Sequence, residues 1–259
     1  MTDSRLLSIA AGVHPELAPA DMVTTAAAAG WPACGIWFDG NTWTDATSRE
    51  VRRRLDDSGV IALDMEPIIP AEGADDHATR LIDAAAYVGA RFVLFTSRLK
   101  DHGATADRFA EVCAMAEPHG ITVVCEFLPI FPLSTLDIAA SVVGRAPGSN
   151  TGILVDNLHL SRSGGDVADL TKFDRRLFPY VQIADAPGSR PGDIGALLDE
   201  ALNGRLLPGD GQLPIGELLA AVPDVPLSFE VRSRHLRETH TDATERAKVL
   251  LAAARRSCH

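Results

Sequence analysis

Four oxygen-donor side chains stand at or near the C-terminal ends of apolar runs in the second half of this chain. Glu126 closes Val123-Val124-Cys125, Asp156 closes Ile153-Leu154-Val155, Gln182 lies within the run from Tyr180 to Ile183, and Glu230 closes Leu227-Ser228-Phe229. An apolar strand gains nothing structurally from an acid at its end. An unpaired carboxylate taken out of water is costly, and three close together also repel one another. A shared divalent cation relieves both penalties, and four hard oxygen donors suit magnesium or manganese better than a thiolate-seeking metal. Any one of these residues alone could equally be a helix N-cap or a salt-bridge partner; four at matched depth on adjacent elements favour the metal site. Three carboxylates and one dication leave a charge of −1, so one carboxylate can stay partly basic. Glu126 and Glu230 come from opposite ends of the arc and are expected on opposite sides of a substrate. One would remove a proton beside a carbonyl and the other would return it, while the ion polarises the carbonyl and stabilises the enediolate.

Such side chains need a scaffold that brings four strand ends to one point. Short apolar runs at residues 6–10, 34–38, 60–65, 91–96, 121–127, 152–156, 180–184 and 227–231 read as strands buried on both faces. Helical stretches fill the gaps: residues 19–29, 48–58, 75–88, 105–119, 134–143, 194–202, 215–221 and 242–256. The first four stop before Gly30, Gly59, Gly89 and Gly120, as expected of left-handed C′ positions. The weakest helical signal is at residues 161–173. Eight βα units predict a single α/β domain over residues 1–259, a (β/α)8 TIM barrel with its active-site loops at the strands' C-terminal ends. An open doubly wound sheet is the alternative, disfavoured because no strand–helix turn carries a GxGxxG or Walker A pattern.

The composition narrows the partners. With 259 residues, 46% of them hydrophobic, one large core is affordable. A formal charge of −11 argues against general electrostatic binding to nucleic acid or an anionic membrane. No apolar run approaches a membrane span, and the N-terminal segment lacks a signal-peptide pattern, so a cytoplasmic location is the expectation. Cys34, Cys113, Cys125 and Cys258 form no CxxC pair and read as ordinary thiols.

The chain resembles the xylose-isomerase-like TIM-barrel superfamily along nearly its whole length. The resemblance rests on Cys125-Glu126-Phe127, Asp156-Asn157-Leu158-His159, Gln182-Ile183-Ala184-Asp185 with Pro187-Gly188, and Phe229-Glu230-Val231. That superfamily includes ketose 3-epimerases, hydroxypyruvate isomerases, inosose dehydratases, 3-dehydroshikimate dehydratases and endonuclease IV-type AP endonucleases. The resemblance implies a metal held by Glu126, Asp156, Gln182 and Glu230, with the two glutamates as the acid/base pair. Ketose epimerases have His where this chain has Gln182; glutamine there is similar to hydroxypyruvate isomerases and some 3-dehydroshikimate dehydratases. The family also implies a substrate-contacting or proton-transferring role for His159, and a substrate-oxygen contact for Arg190, which falls one or two positions later than usual. The implied metal is manganese, magnesium or cobalt, with zinc ranked after them. A homo-oligomer is left open.

The barrel reading places further side chains at the mouth. Glu66, at the end of the third strand, could bond a substrate hydroxyl or hold a neighbouring group. Trp37 reads either as core or as a sugar platform. His14 could face substrate or cap its loop, and Arg232 could meet an anionic group. The segment Leu207-Pro208-Gly209-Asp210-Gly211-Gln212-Leu213-Pro214 reads as tight turns near the site, a lid or a plain connector. The leading expectation is a metal-dependent isomerase or epimerase of a small ketose or hydroxy-keto acid. A dehydratase of the 3-dehydroshikimate or inosose type is the alternative, supported by Gln182 and the available arginines. Endonuclease action, which needs more histidines and a basic face, and a non-catalytic binding barrel rank below both.

Overall fold

The computed structural model describes residues 5–258. Eight parallel strands close into a barrel in chain order: β1 (Leu7–Ile9), β2 (Ala33–Trp37), β3 (Ile61–Ile68), β4 (Phe92–Phe95), β5 (Thr122–Glu126), β6 (Thr151–Asp156), β7 (Val181–Ile183) and β8 (Leu227–Phe229). The ring closes where Leu7, Ser8 and Ile9 pair with Leu227, Ser228 and Phe229. One helix follows each of the first five strands: α1 (Pro19–Ala29), α2 (Asp45–Ser58), α3 (Ala78–Val88), α4 (His102–Ala116) and α5 (Leu136–Val143). A closed ring leaves no sheet edge, and the helices cover its outer face, so the strands can be apolar on both sides. Among the described residues, no helix is long and apolar enough to cross a membrane.

The eight-stranded expectation holds, and the four predicted glycine stops all adopt positive φ, from 67° to 87°. The differences lie in the second half. After β6 the chain forms a six-residue helix, α6 (Asn157–Arg162), and then 3-10 turns at Val167–Lys172 and Arg175–Leu177. Asp156 ends the strand and caps that helix at once, so no room is left for a conventional connection. Two helices, α7 (Ile194–Asn203) and α8 (Ile215–Ala221), separate β7 from β8, and α9 (Arg234–Thr239) precedes the last helix, α10 (Ala243–Ser257). β3 runs past the predicted residues 60–65, because a residue before proline is held extended, and Glu66 precedes Pro67.

Ala33, Leu63, Leu94, Val124, Leu154 and Tyr180 fill the barrel lumen, while a larger cluster packs between strands and helices. The lumen is not wholly apolar. Between β2 and β3 the register shifts, so Leu63 and Asp64 together face Gly35. A Cβ on Gly35 would lie 2.5 Å from Asp64 Oδ1, which makes glycine necessary there. The Tyr180 hydroxyl donates to Asp64 Oδ2 at 2.7 Å. Burial raises the Asp64 carboxyl to about 6 even though this hydrogen bond favours the ionised form. One pleat further along β7 stands Gln182, at the level of the mouth.

Candidate metal centre

Strand register sets the depth of the four donors. Asp156 pairs with Gln182 across β6 and β7, Glu126 pairs with Leu154 two residues before Asp156, and the Glu230 amide donates to the Ile183 carbonyl at 2.9 Å. All four side chains are buried.

Asp156 has two tasks. Its Oδ1 accepts the amides of Leu158 (2.8 Å) and His159 (3.0 Å), capping α6. Its Oδ2 accepts Arg205 Nη1 at 2.5 Å. The same guanidinium places Nη2 3.0 Å from Glu230 Oε2, gives a second bond from Nη1 to the Glu230 carbonyl at 3.1 Å, and anchors Nε on the Ala201 carbonyl at 2.9 Å. Arg205 thus ties the end of β6 to the end of β8. His159, brought round by the first turn of α6, places Nε2 3.4 Å from Arg205 Nη2 and 3.9 Å from Glu126 Oε1. Ligand atoms of Glu126, Asp156 and His159 all lie within 4.8 Å of one another.

Electrostatics follow from this packing. Burial, reinforced by Glu230 and Asp156, pushes Glu126 well above the ordinary carboxylate range. Burial also raises Glu230, although Arg205 pulls the other way. Asp156 is just as buried, but Arg205 and His159 outweigh burial and hold it low. Burial lowers His159 to about 4, so its ring is neutral near pH 7. Glu66 is raised well above its usual range by burial and by Asp64, Glu230 and Glu126.

The donor set fits a hard divalent cation. Both amide atoms of Gln182 are buried without any hydrogen-bond partner, a costly state that a cation on the carbonyl oxygen would relieve. Glu66 Oε1 is orphaned in the same way. Glu66, Glu126, Asp156 and Glu230 outnumber the neighbouring Arg205 and Arg232, and a bound dication would favour the ionised form of the carboxyls that burial raises.

A cavity of about 220 Å³ opens over this cluster. Glu126, Gln182, Glu230, His159, Glu66, Trp37 and Arg232 all line it, as does Arg98, whose guanidinium stacks 5.0 Å from the Phe131 ring. Two expected residues do not line this cavity. Arg190 is exposed, and its Nε donates to the Arg162 carbonyl at 2.7 Å. His14 is buried beside a neighbouring cavity, with Nδ1 accepting from Arg246 Nη2 at 2.9 Å.

Two residues were not singled out from sequence. Arg205 follows α7, which has no strand pattern to flag it. Asp185 had a weak signal, since it closes the Gln182-Ile183-Ala184-Asp185 motif. Its carboxylate accepts the amides of Gly209 (2.9 Å), Gly211 (2.9 Å) and Leu213 (3.0 Å), and its backbone exchanges two bonds with Leu206. The Pro-Gly loop is therefore a pinned connector that fixes where Arg205 enters, not a free lid.

The barrel and its ring of strand-end donors define a known class. The chain belongs to the xylose isomerase-like TIM barrel family, whose model matches residues 23–253. It is 27% identical over 235 residues to a 3-dehydroshikimate dehydratase of Pseudomonas aeruginosa, covering 84% of this chain and 36% of that protein. It is 26% identical over 116 residues to an inosose isomerase of Halalkalibacterium halodurans, covering 44% of this chain and 39% of that one. The chain thus spans about two fifths or less of these curated relatives. Among solved structures, the IOLI protein with a bound zinc atom superposes with a TM-score of 0.83 at 16% identity, covering 97% of each chain, a likeness of fold.

Proposed function

We propose that this protein is a divalent-metal-dependent isomerase or epimerase that moves a proton beside the carbonyl of a small ketose or hydroxy-keto acid. Glu126, Asp156, Gln182 and Glu230 would hold the ion. When bound, that ion supplies Lewis-acid polarisation of the substrate carbonyl. The observation that carries this reading is the orphaned Gln182 amide beside the buried carboxyls of Glu126, Asp156 and Glu230.

The chain's own residues account for the rest. Glu126 and Glu230 approach from opposite ends of the β5–β8 arc, so one can take a proton from carbon while the other gives one back. Burial raises both carboxyls above their ordinary range, and the charge of Glu230 adds to the effect on Glu126. Neutral His159 can bond a substrate oxygen. Glu66 and Arg232 would bind the hydroxyls or anionic end, and Trp37 would cover one face.

A dehydratase reading shares the first proton abstraction and then expels hydroxide. It is favoured by Arg98 and Arg232, which both line the cavity and whose forked donors would suit a ring carboxylate. The relative covering 84% of the chain is named as such an enzyme.

The test is solvent exchange. Incubated with Mn2+ in D2O and a panel of ketoses and keto-acid rings, wild type should place deuterium beside the carbonyl of its substrate. Glu126→Gln and Glu230→Gln should each abolish this with an unchanged circular-dichroism spectrum. Undiminished exchange in both variants would refute the two-glutamate assignment. A new ultraviolet band from a conjugated product would select the dehydratase.

A further inference from the structure

The cavity beside His14 lies between the loops that follow β1 and β2, and its volume is about 590 Å³. That falls within the span typical of small-molecule sites, roughly 300–1,000 Å³. It joins the cavity over the carboxylates at Trp37 and Arg232, which line both. Gly12 lines it too, and a Cβ there would lie 2.5 Å from Glu230 Oε1, so this wall backs directly onto the carboxylate cluster.

Its polar groups decide what it can hold. Arg246, from α10, aims Nε (3.2 Å) and Nη2 (2.9 Å) at His14 Nδ1. A guanidinium offers donors and no acceptor, so Nδ1 must be the accepting nitrogen. Burial, and then the charge of Arg246, keep the ring neutral near pH 7, which puts its one proton on Nε2. That Nε2–H is buried without an acceptor, and so is Arg232 Nε. A buried donor left unmet is costly. The side-chain oxygens on the same wall are already engaged. Asp39 accepts the Asn41 amide at 2.9 Å and the Thr42 hydroxyl at 3.1 Å, and the Thr47 hydroxyl closes the cap of α2 with Thr44. What these side chains leave unmet is two donors.

We infer that this cavity takes the carboxylate of the substrate between His14 Nε2–H and Arg232, so that the substrate is a hydroxy-keto acid whose carbonyl end lies over the cluster of Glu126, Asp156, Gln182 and Glu230. The inference rests on the proposed function above and selects among its substrate classes. An ionised carboxylate accepts hydrogen bonds and donates none, so it meets both orphaned donors with nothing left over. A sugar hydroxyl in the same place brings a proton that needs an acceptor of its own. The charge of Arg232 adds to the preference, because hydrogen bonds between ionised partners are the stronger kind.

The experiment is isothermal titration, with and without Mn2+, of matched pairs: D-fructuronate against D-fructose, D-tagaturonate against D-tagatose, 5-keto-D-gluconate against L-sorbose, and 3-dehydroshikimate against its methyl ester. Within each pair only the carboxylate changes. At least one acid should bind about tenfold or more tightly than its neutral partner. His14→Asn keeps an acceptor for Arg246 but removes the Nε2–H, and should cut that ratio about threefold or more. Arg232→Gln removes the charge and should bring the pair to within about twofold. Melting curves identify which variants are folded. Pairs that bind alike, or not at all across the panel, overturn the inference, as does an acid preference that survives intact in either folded variant. Mn2+ affinity measured on the same samples keeps the two readings apart. Tight Mn2+ without an acid preference sinks only the subsite; an acid preference lost in the variants, without Mn2+ binding, sinks only the metal centre.

Discussion

Arg205 donates to Asp156 Oδ2 across 2.5 Å, with both side chains removed from solvent. The pair joins the short helix after β6 to the long excursion between β7 and β8. It also sets the charge of the centre, because the same guanidinium meets Glu230. Breaking a buried pair by removing one partner typically costs about 3–5 kcal/mol, since the other charge is left stranded. Arg205→Met is therefore expected to lose about that much stability in metal-free urea denaturation. Added Mn2+ should recover part of the loss, because the ion replaces the missing positive charge. Arg205→Lys keeps the charge but not the fork, and should fall between the two. Equal stability of wild type and Arg205→Met without metal would show that the bridge carries no load.

Gln182 determines which ions the site prefers. An amide oxygen favours hard cations, whereas an imidazole nitrogen favours zinc and cobalt. Gln182→His should tighten Zn2+ by at least tenfold, measured by competition with a chelator, while Mg2+ affinity holds or falls. Because both amide atoms are orphaned in the fold, the substitution removes no protein hydrogen bond, and the melting temperature should barely move. An unchanged Zn2+ to Mg2+ ratio would remove Gln182 from the ligand set.

Gly12 makes room for Glu230. A Cβ there would lie 2.5 Å from Glu230 Oε1 and 3.2 Å from Arg232 Cδ, so Gly12→Ala must displace the carboxylate. A shift of about 1 Å at a reacting group can cost roughly 100-fold in rate. The expected result is a loss of that order in solvent-deuterium exchange, with little change in the far-ultraviolet spectrum. Retained exchange would mean that Glu230 moves without consequence, and would count against its role as acid or base.

The legible part of this molecule is the part governed by strand periodicity. Glu126, Asp156 and Glu230 could be placed at one depth because each ends or directly follows an apolar run, and β-strands leave little freedom over where such a residue goes. The glycine stops were readable because a left-handed residue after a helix favours glycine. Arg205 was not readable. It is one of 24 basic residues, it follows a helix instead of a strand, and what makes it central is that Asp185 pins the loop behind it. Arg190 makes the same point from a loop: distance along the chain from Gln182 does not say that its Nε meets the Arg162 carbonyl. Both structural roles open to an acid at a strand end fall to Asp156, since it caps α6 with one oxygen and pairs with Arg205 through the other.

His14 gives the fold an acid-sensitive point away from the carboxylate cluster. Burial, and then the charge of Arg246, lower its pKa from 6.5 to about 4. Above pH 6.5 the imidazole is neutral in both folded and unfolded chains and adds no slope. As the pH falls from 6.5 toward 4, the unfolded chain binds a proton that the folded chain refuses, and stability is lost. The full loss is about 3 kcal/mol. His14→Asn removes the titration while leaving an acceptor for Arg246. The stability difference between wild type and this variant, taken from urea denaturation at intervals between pH 7 and pH 4, should swing by up to about 3 kcal/mol in favour of the variant as the pH falls. Curves that run parallel over that range would show that His14 is protonated alike in both states, and that Arg246 does not hold it neutral.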